Sequence, residues 1–157
     1  MTEFLGFIAP DIETAIHSYI AAKFGRWDDD DQYIEPDVET VRAWALETAK
    51  MWAKQRRSNL DDIVSDNITL AIEIAIYFIN DRPADPQPGI YVIANAMAVR
   101  REVTLRVMLE NLLTRWRAIQ AEIANVMAEL DRLLDEINTA STVTEIEAVL
   151  ASVAWDG

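Results

Sequence analysis

The sequence predicts an all-α fold: an elongated helical bundle built on one long heptad-patterned helix. Three observations predict it. Apolar residues recur at Leu105, Leu109, Leu112, Trp116, Ile119, Ile123, Val126, Leu130, Leu133 and Ile137, in steps of 4 and 3 without a slip. Such a seam lets one helix lie along another. Glycine and proline are confined to a few places, cutting the chain into four long segments, and none occurs between Ile90 and Ser141. Good capping residues stand where those segments begin.

The leader holds Phe4, Leu5, Phe7 and Ile8, read as a short apolar segment docked on the core or on a neighbour. A first helix is expected from Pro10 to Phe24, with Pro10 at the first helical position and Asp11 and Glu13 at the positive end of the dipole. Its buried face would be Ile12, Ala15, Ile16, Tyr19 and Ile20, and Gly25 would end it. His17, the single histidine, lies off that face and reads as surface. Asp28 to Asp31 form an acidic loop. Their spacing lacks the register and distal glutamate of a calcium loop, so a solvated loop is the expectation.

The second helix should run from Pro36 to Arg57, with Val41, Trp44, Ala45, Thr48, Met51 and Trp52 on one side and a basic end at Lys50, Lys54, Arg56 and Arg57. Its opening, I-E-P-D-V-E-T at 34–40, echoes I-A-P-D-I-E-T at 8–14: a relic of duplication is one reading, and one helix-start solution used twice is favoured because the match fades after Thr14 and Thr40. Ser58 or Asn59 would cap a third helix with Asp61 and Asp62 in its first turn. That helix carries one narrow polar stripe, Asp62, Asp66, Thr69, Glu73, Tyr77 and Asn80, and is otherwise apolar all round. It is therefore expected to be the most buried element. Residues 68–79 also alternate as a strand would, but length and capping favour a helix. Glu73 needs a partner if buried, and could reach solvent or Tyr77.

The stretch 81–89, DRPADPQPG, cannot continue a helix and divides the chain into an N-terminal helical region, 1–82, and a long helix plus a short last helix, 90–157. An unbroken helix from Ile90 to Ser141 would run roughly 75 Å. The phase of the stripe shifts near Val99–Val103, where Arg100, Arg101 and Glu102 intervene, so a bend or a change of partner is expected there. Along the seam, e positions are Leu113, Gln120, Met127 and Leu134, too apolar for a two-stranded coil with paired charges and suited to a bundle. Arginines come early and acids late, against the macrodipole. Thr142 and Glu145 have capping-box spacing for the last helix, whose face is Ile146, Val149, Leu150 and Val153, and Trp155 follows as an anchor or an exposed ring.

The chain has 157 residues, a formal charge of −13 and no cysteine. One domain, or one with an arm, is expected. The charge disfavours nucleic acid and anionic membranes as partners. No stretch is long and apolar enough to span a bilayer, and MTEFLGFIAP does not read as a secretory signal. Phosphate-binding glycine loops, nucleophile elbows, Glu-x-x-His pairs and the paired carboxylate motifs of helical pyrophosphatases are all missing. No catalytic, cofactor or metal residue is nominated.

The segment L-L-D-E-I-N-T-A-S-T-V-T-E-I-E-A-V-L, Leu133 to Leu150, resembles the ending of small tailed-phage proteins, among them tail-fibre assembly proteins and tail or baseplate components. The leader F-I-A-P-D-I-E-T-A-I is similar to openings of short phage morphogenesis proteins. The resemblance covers about a fifth of the chain and implies a virion or assembly role without assigning residues. The leading expectation is a structural component in the virion or cytoplasm, held in a homo- or hetero-oligomer by the ten seam residues. A soluble adaptor or assembly chaperone is the alternative, docking through the basic patch Lys50–Arg57. An all-α metal-dependent hydrolase ranks last.

Overall fold

A computed structural model of the protein describes residues 1–60 and 67–153. Asp61, Asp62, Asp66 and Trp155, singled out above, lie outside the described residues. The fold is mostly α, with six helices and two short hairpins among the described residues. Residues 68–79 are a helix, not a strand. The chain forms two compact units: 1–56 with 126–157, and 57–125. The proline-rich stretch 81–89 is therefore a connection inside the second unit.

The first unit begins with a hairpin, β1 (Thr2–Phe4) and β2 (Phe7–Ala9), paired antiparallel with Phe4 opposite Phe7. The two-residue turn has positive φ at both Leu5 (46°) and Gly6 (89°), the geometry whose twist matches the flanking strands. The leader docks through Phe4, which meets Tyr19, Trp44 and Trp52 edge-on at 5.5, 6.5 and 5.9 Å between ring centres. Leu5 and Ile8 face solvent.

Helix α1 (Ile12–Phe24) starts two residues later than Pro10 implies, because Asp11 is the cap: its carboxylate accepts the Thr14 N–H at 2.8 Å. Helix α2 (Val38–Ser58) begins the same way, with Asp37 accepting the Thr40 N–H at 2.9 Å. The repeated P-D-x-E-T is thus one local capping solution. These bonds, led by the backbone N–H, hold both aspartates below their usual value. Between the helices, β3 (Arg26–Trp27) pairs with β4 (Tyr33–Ile34). Gly25 is needed for space: a Cβ there would lie 2.5 Å from the Ala21 carbonyl oxygen and would also meet the Tyr33 hydroxyl. The acidic loop folds on itself, with Asp28 accepting the N–H groups of Asp30 (2.9 Å) and Gln32 (2.8 Å).

The second unit holds α3 (Ile68–Ile79) and α4 (Val92–Arg100). Asn67, rather than Ser58 or Asn59, caps α3 by accepting the Leu70 N–H at 3.0 Å. Helix α5 (Leu105–Thr139) contributes to the second unit through Asn125 and to the first from Val126. The expected bend before it is a full break. The Val103 N–H reaches the Ala98 carbonyl and the Glu102 N–H the Val99 carbonyl, with Glu102 at φ 56°. This is a Schellman ending made without glycine. Helix α3 ends likewise, through Arg82 to Tyr77 and Asp81 to Phe78, with Asp81 at φ 56°.

Helix α6 (Val143–Ala151) opens with the predicted Thr142–Glu145 capping box. The last turn of α5 has no basic residue of its own, and Arg42 from α2 supplies the cation. Its guanidinium donates to the carbonyls of Ile137 and Asn138, the latter at 3.0 Å. That answers the unfavourable charge order along α5.

Candidate functional site

Every one of the ten seam residues is buried or half-buried. Leu130, Leu133 and Ile137 belong to the first core, with Ile16, Ile20, Ala45 and Ile146. Leu105, Leu109, Leu112, Trp116, Ile119 and Ile123 belong to the second, with Leu70, Ile74, Tyr91 and Ala94. Val126 is buried as well. Trp44 and Trp52 pack against the first core, while Met51, assigned to the same face, is largely exposed.

The unexpected surface is on α3, which buries one face and leaves isoleucines of another exposed. Ile68, Ile72 and Ile79 are 77%, 54% and 75% exposed. With Ala75 they follow steps of 4, 3 and 4 along one face. The buried face carries Glu73 and Tyr77 beside Leu70 and Ile74, while Thr69 is exposed. Glu73 accepts the N–H groups of Ile93 and Ala94 at 2.9 Å each, standing in for the side-chain cap that Tyr91 does not provide to α4. Tyr77 donates to Glu110 at 2.6 Å, and Arg82 grips the same carboxylate through Nε (3.0 Å) and Nη2. Burial, then the bond to Glu110, pushes the Tyr77 phenol up. The Arg82 hydrogen bonds, then that of Tyr77, hold Glu110 below the usual carboxylate range. Glu73 is the only charged residue of α3, so the exposed face of this helix carries no charge.

In the first unit His17 has a partner that sequence proximity could not reveal. Its Nδ1 lies 3.0 Å from both carboxylate oxygens of Glu147, 130 positions away on α6. The pair lines a pocket of about 270 Å³ with Ile20, Ala21, Tyr33, Glu35, Pro36, Val143 and Thr144. Arg132 joins Glu129 and Glu136 of its own helix and reaches the Ser152 hydroxyl at 3.1 Å. The bonds to Glu129 first, and then to Glu136, raise the guanidinium's affinity for its proton.

Among the described residues no group of three or more His, Cys, Asp or Glu side chains could hold a metal, the acidic loop included. No described helix is long and apolar enough to cross a membrane. No protein-family model, curated protein or solved structure matches the chain. The resemblance of the C-terminal segment and the leader to tailed-phage proteins therefore gains no support from these comparisons.

Proposed function

We propose that the protein works by assembly, and that the assembling surface is the exposed isoleucine stripe of α3 meeting a second copy of the same chain. The observation that carries this reading is that α3 is apolar on two sides: Leu70, Ile74 and Tyr77 are inside with Glu73, and Ile68, Ile72 and Ile79 are outside. Contiguous exposed apolar surface is costly to keep and marks interaction sites. The choice of occupant follows from charge. A chain of formal charge −13 repels its own copies over most of its surface. The exposed face of α3 is uncharged, so two copies can meet there without burying a carboxylate. An uncharged face also offers nothing to a basic partner.

The heptad pattern of α5 then serves packing within each unit, and the oligomer does not depend on it. The narrower reading, a tail, fibre or connector component of a tailed phage, rests on the resemblance of Leu133–Leu150 and the leader alone.

Light scattering on the eluting protein across a concentration series tests the proposal. The mass of the wild-type chain rises above 17.8 kDa with concentration, while Ile72→Asp stays at the monomer mass with unchanged circular dichroism. A wild-type chain that stays monomeric at about 1 mM, the top of the range in which weak specific contacts operate, overturns it. So does an Ile72→Asp chain that associates as the wild type does. The adaptor reading is the second choice, supported by the cover each unit gives to its own part of the seam. A strict monomer that retains one defined heterologous partner after Lys50→Glu but not after Ile72→Asp would favour it with the docking face on α3. The reverse would place docking at the basic end of α2.

A further inference from the structure

The pocket between α1, β4 and α6 belongs to the first unit, and we infer that it binds a small organic monocation: a primary amine or guanidinium on an apolar stem. The inference starts from Glu147, whose side chain is 5% exposed. A buried carboxylate must be satisfied by donors or by a charge partner. Glu73 shows what satisfaction looks like in this chain: equally buried, it receives two separate backbone N–H groups. Glu147 has, among the described residues, a single donor, the His17 Nδ1, shared between its two oxygens. A carboxylate offers about four acceptor sites, so most of its capacity is unused.

That capacity borders an open cavity. The other polar groups on its wall are a second carboxylate, Glu35, and the hydroxyls of Tyr33 and Thr144, and no lysine or arginine lines it. A pocket with two carboxylates and no basic side chain other than the His17 imidazole rejects anions and suits a cation carrying several N–H donors. The remaining wall, Ile20, Ala21, Pro36 and Val143, is apolar and suits methylene groups. A metal ion is the wrong cation, because no described cluster supplies three ligands. The volume, about 270 Å³, fits an amine of four or five carbons. His17 is 65% exposed and can turn aside, leaving Glu147 to the ligand.

The test uses n-butylamine and n-butylguanidine as probes, with n-butanol and butyrate as neutral and anionic analogues, titrated calorimetrically into the wild-type chain at low salt. Saturable binding of at least one cation with Kd near or below about 1 mM is expected, with butanol more than about tenfold weaker and butyrate silent. Glu147→Gln should weaken cation binding more than about tenfold, and His17→Ala should hold or tighten it. No saturable binding of either cation overturns the proposal, as does butanol binding as well as butylamine, which would make the pocket an apolar crevice. A folded Glu147→Gln that binds normally also overturns it. If Glu147→Gln does not fold, the probe series on the wild type and on Glu35→Gln still decides.

Discussion

Removing the Glu73 carboxylate is predicted to unfasten helix α4, and the size of the effect follows from the bonds it makes. Helix α4 has nine residues, below the roughly 12–15 at which an isolated helix becomes even marginal. Its first-turn N–H groups have no local acceptor, since Tyr91 provides no side-chain cap. Glu73 accepts two of them, one of which, at Ala94, is fully buried. Hydrogen bonds to a charged group are worth about 1.5–3 kcal/mol each, and the site also favours negative charge through the helix dipole. Glu73→Ala should therefore cost about 3–5 kcal/mol, a large share of the roughly 5–15 kcal/mol that holds a domain together. Glu73→Gln keeps one acceptor oxygen but no charge, and should cost about 1–2 kcal/mol. Hydrogen exchange read by mass spectrometry over residues 92–100, beside urea unfolding followed by circular dichroism, separates a local from a global effect. Exchange in that segment should accelerate by about a hundredfold or more in Glu73→Ala, and far less in Glu73→Gln. Unchanged protection over 92–100 would refute the capping argument. Equal damage from Ala and Gln would show that side-chain volume is not the issue and that charge alone matters.

Two further predictions concern the same unit. Glu110 has a folded value below its ordinary 4.5, so its contribution is full above that value and is lost as pH falls through the lowered one. Glu110→Gln should therefore be less stable than wild type at pH 7, and the difference should shrink below about pH 4.5, measured as urea midpoints across pH; a constant difference would discount the ion pair. Glu102 sits at φ 56°, a conformation that suits glycine. Glu102→Gly should stabilise the chain by about 0.5–1 kcal/mol, seen as a higher melting temperature, and a lower one would mean that the Glu102 side chain has a compensating role.

What the sequence made legible is what short-range chemistry decides. Asp11 and Asp37 cap helices through residues three positions on, and Thr142 with Glu145 does the same reciprocally. The break before α5 was visible as a phase shift, although its Schellman form was hidden because Glu102, not glycine, adopts the left-handed backbone. The seam residues are all buried or half-buried, and their periodicity reports that a face is apolar but not which chain covers it. What stayed hidden depends on distant partners. His17 looked solitary because Glu147 is 130 positions away. Arg42, which donates to the end of a helix 95 positions further on, gave no local sign of its role.

Helix α3 shows why face and function were not readable together. Its polar stripe and its isoleucine stripe are both coherent at helical spacing, so either could point inward. The choice was made by the N-terminus of α4, which requires an acceptor, and by Arg82 and Glu110, which hold Tyr77. Once Glu73 and Tyr77 face inward, the isoleucines on the opposite side have nowhere else to go. Their exposures leave about two isoleucines' worth of side chain uncovered per copy. Fully burying one such side chain gives roughly 1.5–3 kcal/mol, so two copies meeting face to face gain on the order of 6–12 kcal/mol gross. Association itself costs an estimated 4–15 kcal/mol. The stripe alone therefore stands near break-even, and the proposed dimer should be weak and concentration-dependent. A surface of that strength is silent in dilute solution and becomes effective when copies are brought together at high local concentration, where each contact adds to its neighbours. That is the regime of an assembly component rather than of a permanent dimer, and it sets the concentration range in which the scattering experiment must be run.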